Sequence, residues 1–363
     1  MGNMIFKDKK YKFIEMFNNE TGFYLRTGIL DDDGNDTGVD PFMRSFPQLL
    51  DVGIMNKCNS ADKCLKAGIQ CYQGKNDLKK QNMSIENFRK LTEQCKDKCF
   101  QFALGGHGNP NKHEHFKEIL QICKDNNIVP NYTTSGVDLT DEEVKLTKEY
   151  CGAVAVSFHN ADYTFSAIQK FIDAGIKTNI HYVLGNNSID RAIDYLKNNK
   201  FPKGINAIVF LLAKPVGLGL DNNTLKYEDP RVTEFYEYID NNLKNFDFKI
   251  GFDSCNVPGI LNHSKNINRD TIDTCEAGRY SAYVTPDFKL LPCSFDNQDL
   301  KWAVDLNTNT IEEAWNSEQF NNFREHFKQS CGKCSERHLC LGGCPIKRNI
   351  VLCNRNEKDL KVI

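Results

Sequence analysis

The chain has fifteen cysteines in 363 residues, and their spacing is the feature best able to do chemistry. Eight lie in the last third: Cys255, Cys275, Cys293, Cys331, Cys334, Cys340, Cys344 and Cys353. The densest run is Cys331-x2-Cys334-x5-Cys340-x3-Cys344. Thiolates two to five residues apart reach one metal centre without distorting the chain, and zinc and four-iron clusters each accept four of them. Eight thiols make two sets of four, so two sites is the natural count. Spacing alone leaves both a zinc-ribbon structural site and a pair of iron–sulfur clusters open. Nearer the front, Cys58, Cys64 and Cys71 form a C-x5-C-x6-C triplet. Cys95, Cys99, Cys123 and Cys151 fall on expected helices or strand edges and read as buried small hydrophobes.

Composition narrows the classes of function. A formal net charge of −2 gives no field to recruit nucleic acid or an anionic membrane surface. No run of 18 apolar residues predicts a membrane span. Met1 to Glu20 mixes Lys, Asp and Glu and has no apolar signal core. An odd cysteine count without an export signal argues against a disulfide framework, and the expected localisation is cytoplasmic.

The elements that must position these thiols are legible between residues 49 and about 215. Leu49–Met55, Phe100–Leu104, Val129–Thr133, Ala153–Phe158, Thr178–Leu184 and Ala207–Leu212 are short, near-continuous apolar runs, as parallel strands buried on both faces require. Helices alternate with them. Ser84 precedes Ile85–Cys95, Thr140 and Glu143 form a capping box, Ala161–Ala174 ends at Gly175, and Ser188 opens Ile189–Asn198. The predicted fold is α/β: a partial (β/α)6 TIM-like barrel over 49–250, with its site at the C-terminal ends of the strands. Residues 1–48 read as a hairpin-like extension. Residues 251–363 read as a small Cys-rich domain with one clear helix, Ile311–Phe327, that needs metal to fold.

The string Cys275 … Cys293 … Cys331-x2-Cys334-x5-Cys340-x3-Cys344 … Cys353 resembles the seven-cysteine pattern of SPASM domains, the auxiliary-cluster domains of radical S-adenosylmethionine enzymes. Cys275-Glu276-Ala277-Gly278, Tyr283-Val284-Thr285-Pro286-Asp287, Leu291-Pro292-Cys293 and Leu341-Gly342-Gly343-Cys344 share its texture. The resemblance implies that Cys275, Cys293 and Cys344 hold a first auxiliary [4Fe-4S] cluster, with Cys255 a possible fourth ligand. It implies that Cys331, Cys334, Cys340 and Cys353 hold a second. Phe288 stands where the family usually has Gly.

The same resemblance gives Cys58, Cys64 and Cys71 a third, catalytic [4Fe-4S] cluster, although the family spacing is C-x3-C-x2-C. The open iron of such a cluster binds S-adenosylmethionine, and one electron cleaves it to a 5′-deoxyadenosyl radical. Contacts to that cofactor are implied for Tyr72, for Gly105, Gly106 and His107 (a Gly-Gly-Glu stretch in the family), for Thr134 and Ser135, and for Ser157. Strand alternation points Asn179 and His181 at the same mouth, with Lys214 just beyond. Asp253, Asp296 and His107 are the candidate general bases.

The implied activity is hydrogen abstraction from a peptide or protein substrate, fed by a reductant such as flavodoxin or ferredoxin, with no nucleic-acid or membrane partner. Ser294 stands where sulfatase-maturing members place an acid. Radical oxidation of a small molecule such as a sugar alcohol is the alternative chemistry. A non-catalytic zinc or iron–sulfur binding protein is the alternative class. The remaining motifs add little: His113 and His115 read as a solvated helix face, His159 as a site residue or a structural one, and Gly217-x-Gly219 lacks a dinucleotide fingerprint.

Overall fold

A computed structural model describes residues 2–329, 331 and 334–354. The first 48 residues hold an antiparallel sheet of β1 (Asn3–Asp8), β2 (Phe13–Asn18) and β3 (Tyr24–Arg26). β4 (Leu49–Met55) then opens the main sheet, followed by α1 (Ala61–Lys66), α2 (Ile85–Cys95), β5 (Gln101–Gly106), α3 (Phe116–Asp125), β6 (Val129–Thr134), α4 (Asp141–Tyr150), β7 (Val154–Ser157), α5 (Asp162–Asp173), β8 (Thr178–Leu184), α6 (Ile189–Lys197), β9 (Ala207–Leu212), α7 (Pro230–Asn242) and β10 (Lys249–Phe252). The C-terminal part adds α8 (Val257–His263), β11 (Ser281–Val284), β12 (Lys289–Leu291), β13 (Val304–Asp305), α9 (Ile311–Trp315), α10 (Glu318–Gln329) and α11 (Arg337–Cys340).

The main sheet has ten strands in the order β10-β9-β8-β7-β6-β5-β4-β11-β12-β13. The six expected βα units are all present, and the sheet stays open at both edges. Two parallel strands that periodicity did not reveal flank them: β10, a four-residue run containing Gly251, and β11, which pairs in parallel with β4 although more than 220 residues separate them. The cysteine-rich part is therefore built onto the barrel sheet.

Caps act where the residue types predict. Ser84 Oγ accepts from Asn87 N at 3.2 Å, and Thr140 and Glu143 make a reciprocal capping box. Helix Ile311–Phe327 is instead two helices. Asn316 closes α9, and Ser317 Oγ accepts from Phe320 N at 3.4 Å to open α10.

The N-terminal sheet covers the strand ends opposite the mouth. Phe17 stacks on Phe100 at 5.4 Å, and Phe13 meets Tyr280 edge-on at 6.4 Å. A fully buried ion pair pins it: Glu15 on β2 lies 2.7 Å from Arg44 Nε, and Arg44 also donates to Phe46 O and Lys98 O. Removing one partner of such a pair strands the other charge in the core. Arg44→Ala is expected to cost about 3–5 kcal/mol, read as a lowered urea midpoint.

Phe288 has φ +65° in the turn between β11 and β12, a conformation that glycine adopts freely and phenylalanine does not. Its ring is 1% exposed in the main core, and that burial offsets the backbone cost.

Candidate active site

The three front thiols sit on the loop after β4, and two distant segments hold that loop in place. Asn76 clamps Cys58, with Oδ1 accepting from Cys58 N at 2.8 Å and Nδ2 donating to Cys58 O at 2.7 Å. The Cys71 carbonyl accepts from Leu218 N at 2.8 Å. A Cβ at Gly217 would lie 2.2 Å from the Tyr72 carbonyl, so Gly217 is required for the loop after β9 to lie against the front loop. From the other side, Asn297 Nδ2 donates to Gln73 Oε1 at 2.8 Å. Cys58, Cys64 and Cys71 are half-buried free thiols. Burial pushes the Cys64 thiol up to about 11, and Cys58 and Cys71 add to the shift through their proximity. Such thiols keep their protons until a metal displaces them.

The inner face of the sheet leads up to this loop. Register puts Asp51, Ala103 and Asn131 in one row, with Gly53, Gly105, Thr133, Ala155 and Asn179 in the row above. A Cβ at Gly105 would meet nothing within 4 Å, so open space lies over it. Gly106 differs. At φ +112°, its Cβ would fall 2.2 Å from Met55 O, so this glycine serves the packing of β5 on β4 rather than the approach of a ligand. His107 is buried and lines a cavity of about 830 Å³ with Gln73, Lys80, Asn82, Gly217 and Asp287. Burial and Lys80 both push its imidazole below the usual histidine value.

Two other hydroxyls expected at the cofactor are engaged elsewhere. Thr134 Oγ1 accepts from Gly136 N at 3.1 Å, and Ser135 Oγ accepts from Asn109 Nδ2 at 2.9 Å. Thr133 takes the inward place instead, 3.4 Å from His181 Nδ1. Ser157 pairs in register with His181. Burial pushes the His181 imidazole down to about 4. Asn179 Oδ1 accepts from Asn206 Nδ2 at 2.7 Å. His159 bonds Tyr163 at 3.0 Å, within the start of α5. His113 is buried against Met83 O at 3.2 Å and is not on a solvated face, because the chain turns through a 3-10 segment before α3 begins at Phe116.

The candidate bases separate. Asp296 accepts from Lys301 N at 3.2 Å and Trp302 N at 3.0 Å, and so anchors its own turn. Asp253 pairs with Lys214 at 2.8 Å. Asp51, which the pattern reading passed over, stands on the inner face of β4, and burial pushes its carboxyl up to about 6. Beside it in register is Tyr283, 2% exposed, with Gln73 next to its hydroxyl. A carboxylate inside the apolar run Leu49–Met55 was the available signal.

Cys255, Cys275, Cys293 and Cys344 come together from segments at opposite ends of the sheet order, Cys255 after β10 and Cys293 after β12. Cys255 and Cys344 share a sulfur hydrogen bond, Cys275 feels Cys255, and Cys293 feels Cys275 and Cys255. Burial pushes the Cys275 thiol up to about 12. The Cys344 thiol goes the other way, because Cys255 and Lys347 N both donate to it, the latter at 3.3 Å. Four thiols together, Cys344 buried and the other three half-buried, fit a four-iron cluster, with Cys255 in the turn after β10 in place to be the fourth ligand. Among the described residues no three of His, Cys, Asp and Glu converge on a single ion position; a cuboidal cluster places each thiolate on a different iron. Tyr72, next to Cys71, sets its ring 5.4 Å from that of Phe295, two residues after Cys293. Of the remaining set, Cys331 and Cys340 are buried, Cys353 is half-buried and Cys334 is exposed.

Residues 275–335 match the SPASM iron–sulfur cluster-binding domain, and the fold of the chain resembles that of solved structures crystallised with S-adenosylmethionine. Streptococcus suis SuiB is similar at a TM-score of 0.68 and 13% identity, over 98% of this chain and 99% of that one. SuiB bound to S-adenosylmethionine gives 0.65 and 15%, over 86% and 78%. Native anSMEcpe with bound AdoMet gives 0.60 and 18%, over 85% and 92%. No curated protein matches the chain in sequence. No helix among the described residues is long and apolar enough to cross a membrane.

Proposed function

We propose that this chain is a radical S-adenosylmethionine enzyme that oxidises a peptide or protein substrate. The observation that carries the reading is the convergence of Cys255, Cys275, Cys293 and Cys344, alongside the separate triplet Cys58, Cys64 and Cys71. When bound, a four-iron cluster and S-adenosylmethionine at the triplet supply a 5′-deoxyadenosyl radical for hydrogen abstraction.

The protein's own residues do the rest. Cys58, Cys64 and Cys71 hold the first cluster, and Gly105 leaves the room through which a ligand approaches it. Asp51 takes the proton released as the substrate is oxidised. Cys331, Cys334, Cys340 and Cys353 complete a third cluster site. A peptide substrate is supported by the fold shared with SuiB, crystallised with precursor peptide SuiA, and with anSMEcpe, crystallised with the peptide Cp18Cys. A flavodoxin or ferredoxin supplies the electron.

The test is anaerobic reconstitution, metal analysis and incubation with dithionite and S-adenosylmethionine. About twelve irons per chain, four for each cluster, together with 5′-deoxyadenosine are expected. Zinc in place of iron, or full iron loading without cleavage, overturns the reading.

A further inference from the structure

Lys214 follows β9 with its side chain 1% exposed, and a buried ammonium needs a reason. Its Nζ lies 2.8 Å from Asp253 Oδ2 and 2.9 Å from Leu212 O, and sits 4.3 Å from the centre of the Phe295 ring. The ion pair holds it protonated. Asp253 is itself anchored, accepting from Asn256 Nδ2 at 2.6 Å and from Leu212 N at 3.3 Å, so donors spread over its negative charge. Asn256 in turn accepts from the Tyr236 hydroxyl at 2.6 Å. Its two side-chain partners place the charge at the four thiols, since Phe295 lies two residues after Cys293 and Asp253 two residues before Cys255. Arg279 stands near Cys275, but its guanidinium is committed to the Phe42 and Cys275 carbonyls.

We infer that Lys214 is a positioning residue that sets the reduction potential of the cluster held by Cys255, Cys275, Cys293 and Cys344, with Asp253 fixing its place. This rests on the proposed reading of those four thiols as a cluster site. Taking up an electron adds one negative charge to the centre. A fixed, buried cation beside the centre stabilises the reduced form, and the potential rises. In an oxidation of substrate, a higher potential makes this cluster the better electron acceptor.

The experiment is an EPR-monitored redox titration of the anaerobically reconstituted protein. The signal of this cluster is the one lost in Cys293→Ala, and the front cluster is the one whose signal changes when S-adenosylmethionine is added. Lys214→Met and Lys214→Gln each remove the charge, one without polarity and one with it. Both are expected to make this cluster's electron-binding equilibrium at least tenfold less favourable, about 59 mV more negative for one electron. Lys214→Arg keeps the charge and is expected to stay within that shift, and the front cluster is expected not to move. Potentials unchanged in both neutral variants, or Lys214→Arg moving as far as they do, overturn the inference. Wild-type protein with no signal lost in Cys293→Ala overturns the cluster reading beneath it.

Discussion

Replacing Cys58, Cys64 and Cys71 together with alanine is expected to reduce 5′-deoxyadenosine formation to the level of buffer with dithionite. Iron should fall from about twelve to about eight per chain, since each cluster holds four. The fold is expected to survive. None of the three thiols belongs to the main core, and the loop that carries them is anchored by other groups: Asn76 on the Cys58 backbone, Leu218 N on the Cys71 carbonyl, and Asn297 on Gln73. These contacts use backbone and amide atoms that alanine leaves in place. The variant therefore separates catalysis from folding, and unchanged cleavage would place the radical chemistry elsewhere.

Asp51→Asn is the second large effect. Loss of a general base typically lowers a rate by about 10²–10⁴. Substrate oxidation should fall by that factor, while cleavage of S-adenosylmethionine continues uncoupled from it. The carboxyl titrates near 6, so wild-type oxidation is expected to rise as pH rises through about 6, and that limb should vanish in the variant. Stability moves oppositely. The folded state holds this proton to a higher pH than the unfolded chain does, so the group's stabilising contribution is full below its unfolded value near 3.8 and is lost as pH rises through about 6. At pH 8, Asp51→Asn should be at least as stable as wild type in urea. A variant that loses stability and oxidation together would make Asp51 a structural residue.

Periodicity and caps were enough for β4 to β9 and for the openings of α2 and α4, because each depends on residues within a few positions of one another. Cysteine spacing was enough to say that metal is the chemistry. The strands β10 and β11 escaped for the converse reason: a four-residue strand becomes one only when a long partner, β9 or β4, offers its edge. Gly106 and Gly217 could be seen as glycines, but only packing distinguishes the one that meets Met55 from the one that meets Tyr72.

By itself, the sequence determined the order of the βα units and which cysteines are available to a metal site. Tertiary structure put Cys255 with Cys275, Cys293 and Cys344, the set the resemblance had left open at its fourth member: the four span ninety residues of sequence and come together through the turn after β10, the end of β12 and the segment after α11. It also decided which charged groups lie beside them, pairing Lys214 with Asp253 two residues before Cys255, and burying Asp51 on the inner face of β4. The physical reason is range. Backbone preference and amphipathic period act over a few residues and are written locally, whereas desolvation, ion pairing and thiol–thiol contact depend on distances that exist only once strands far apart in the chain share a sheet.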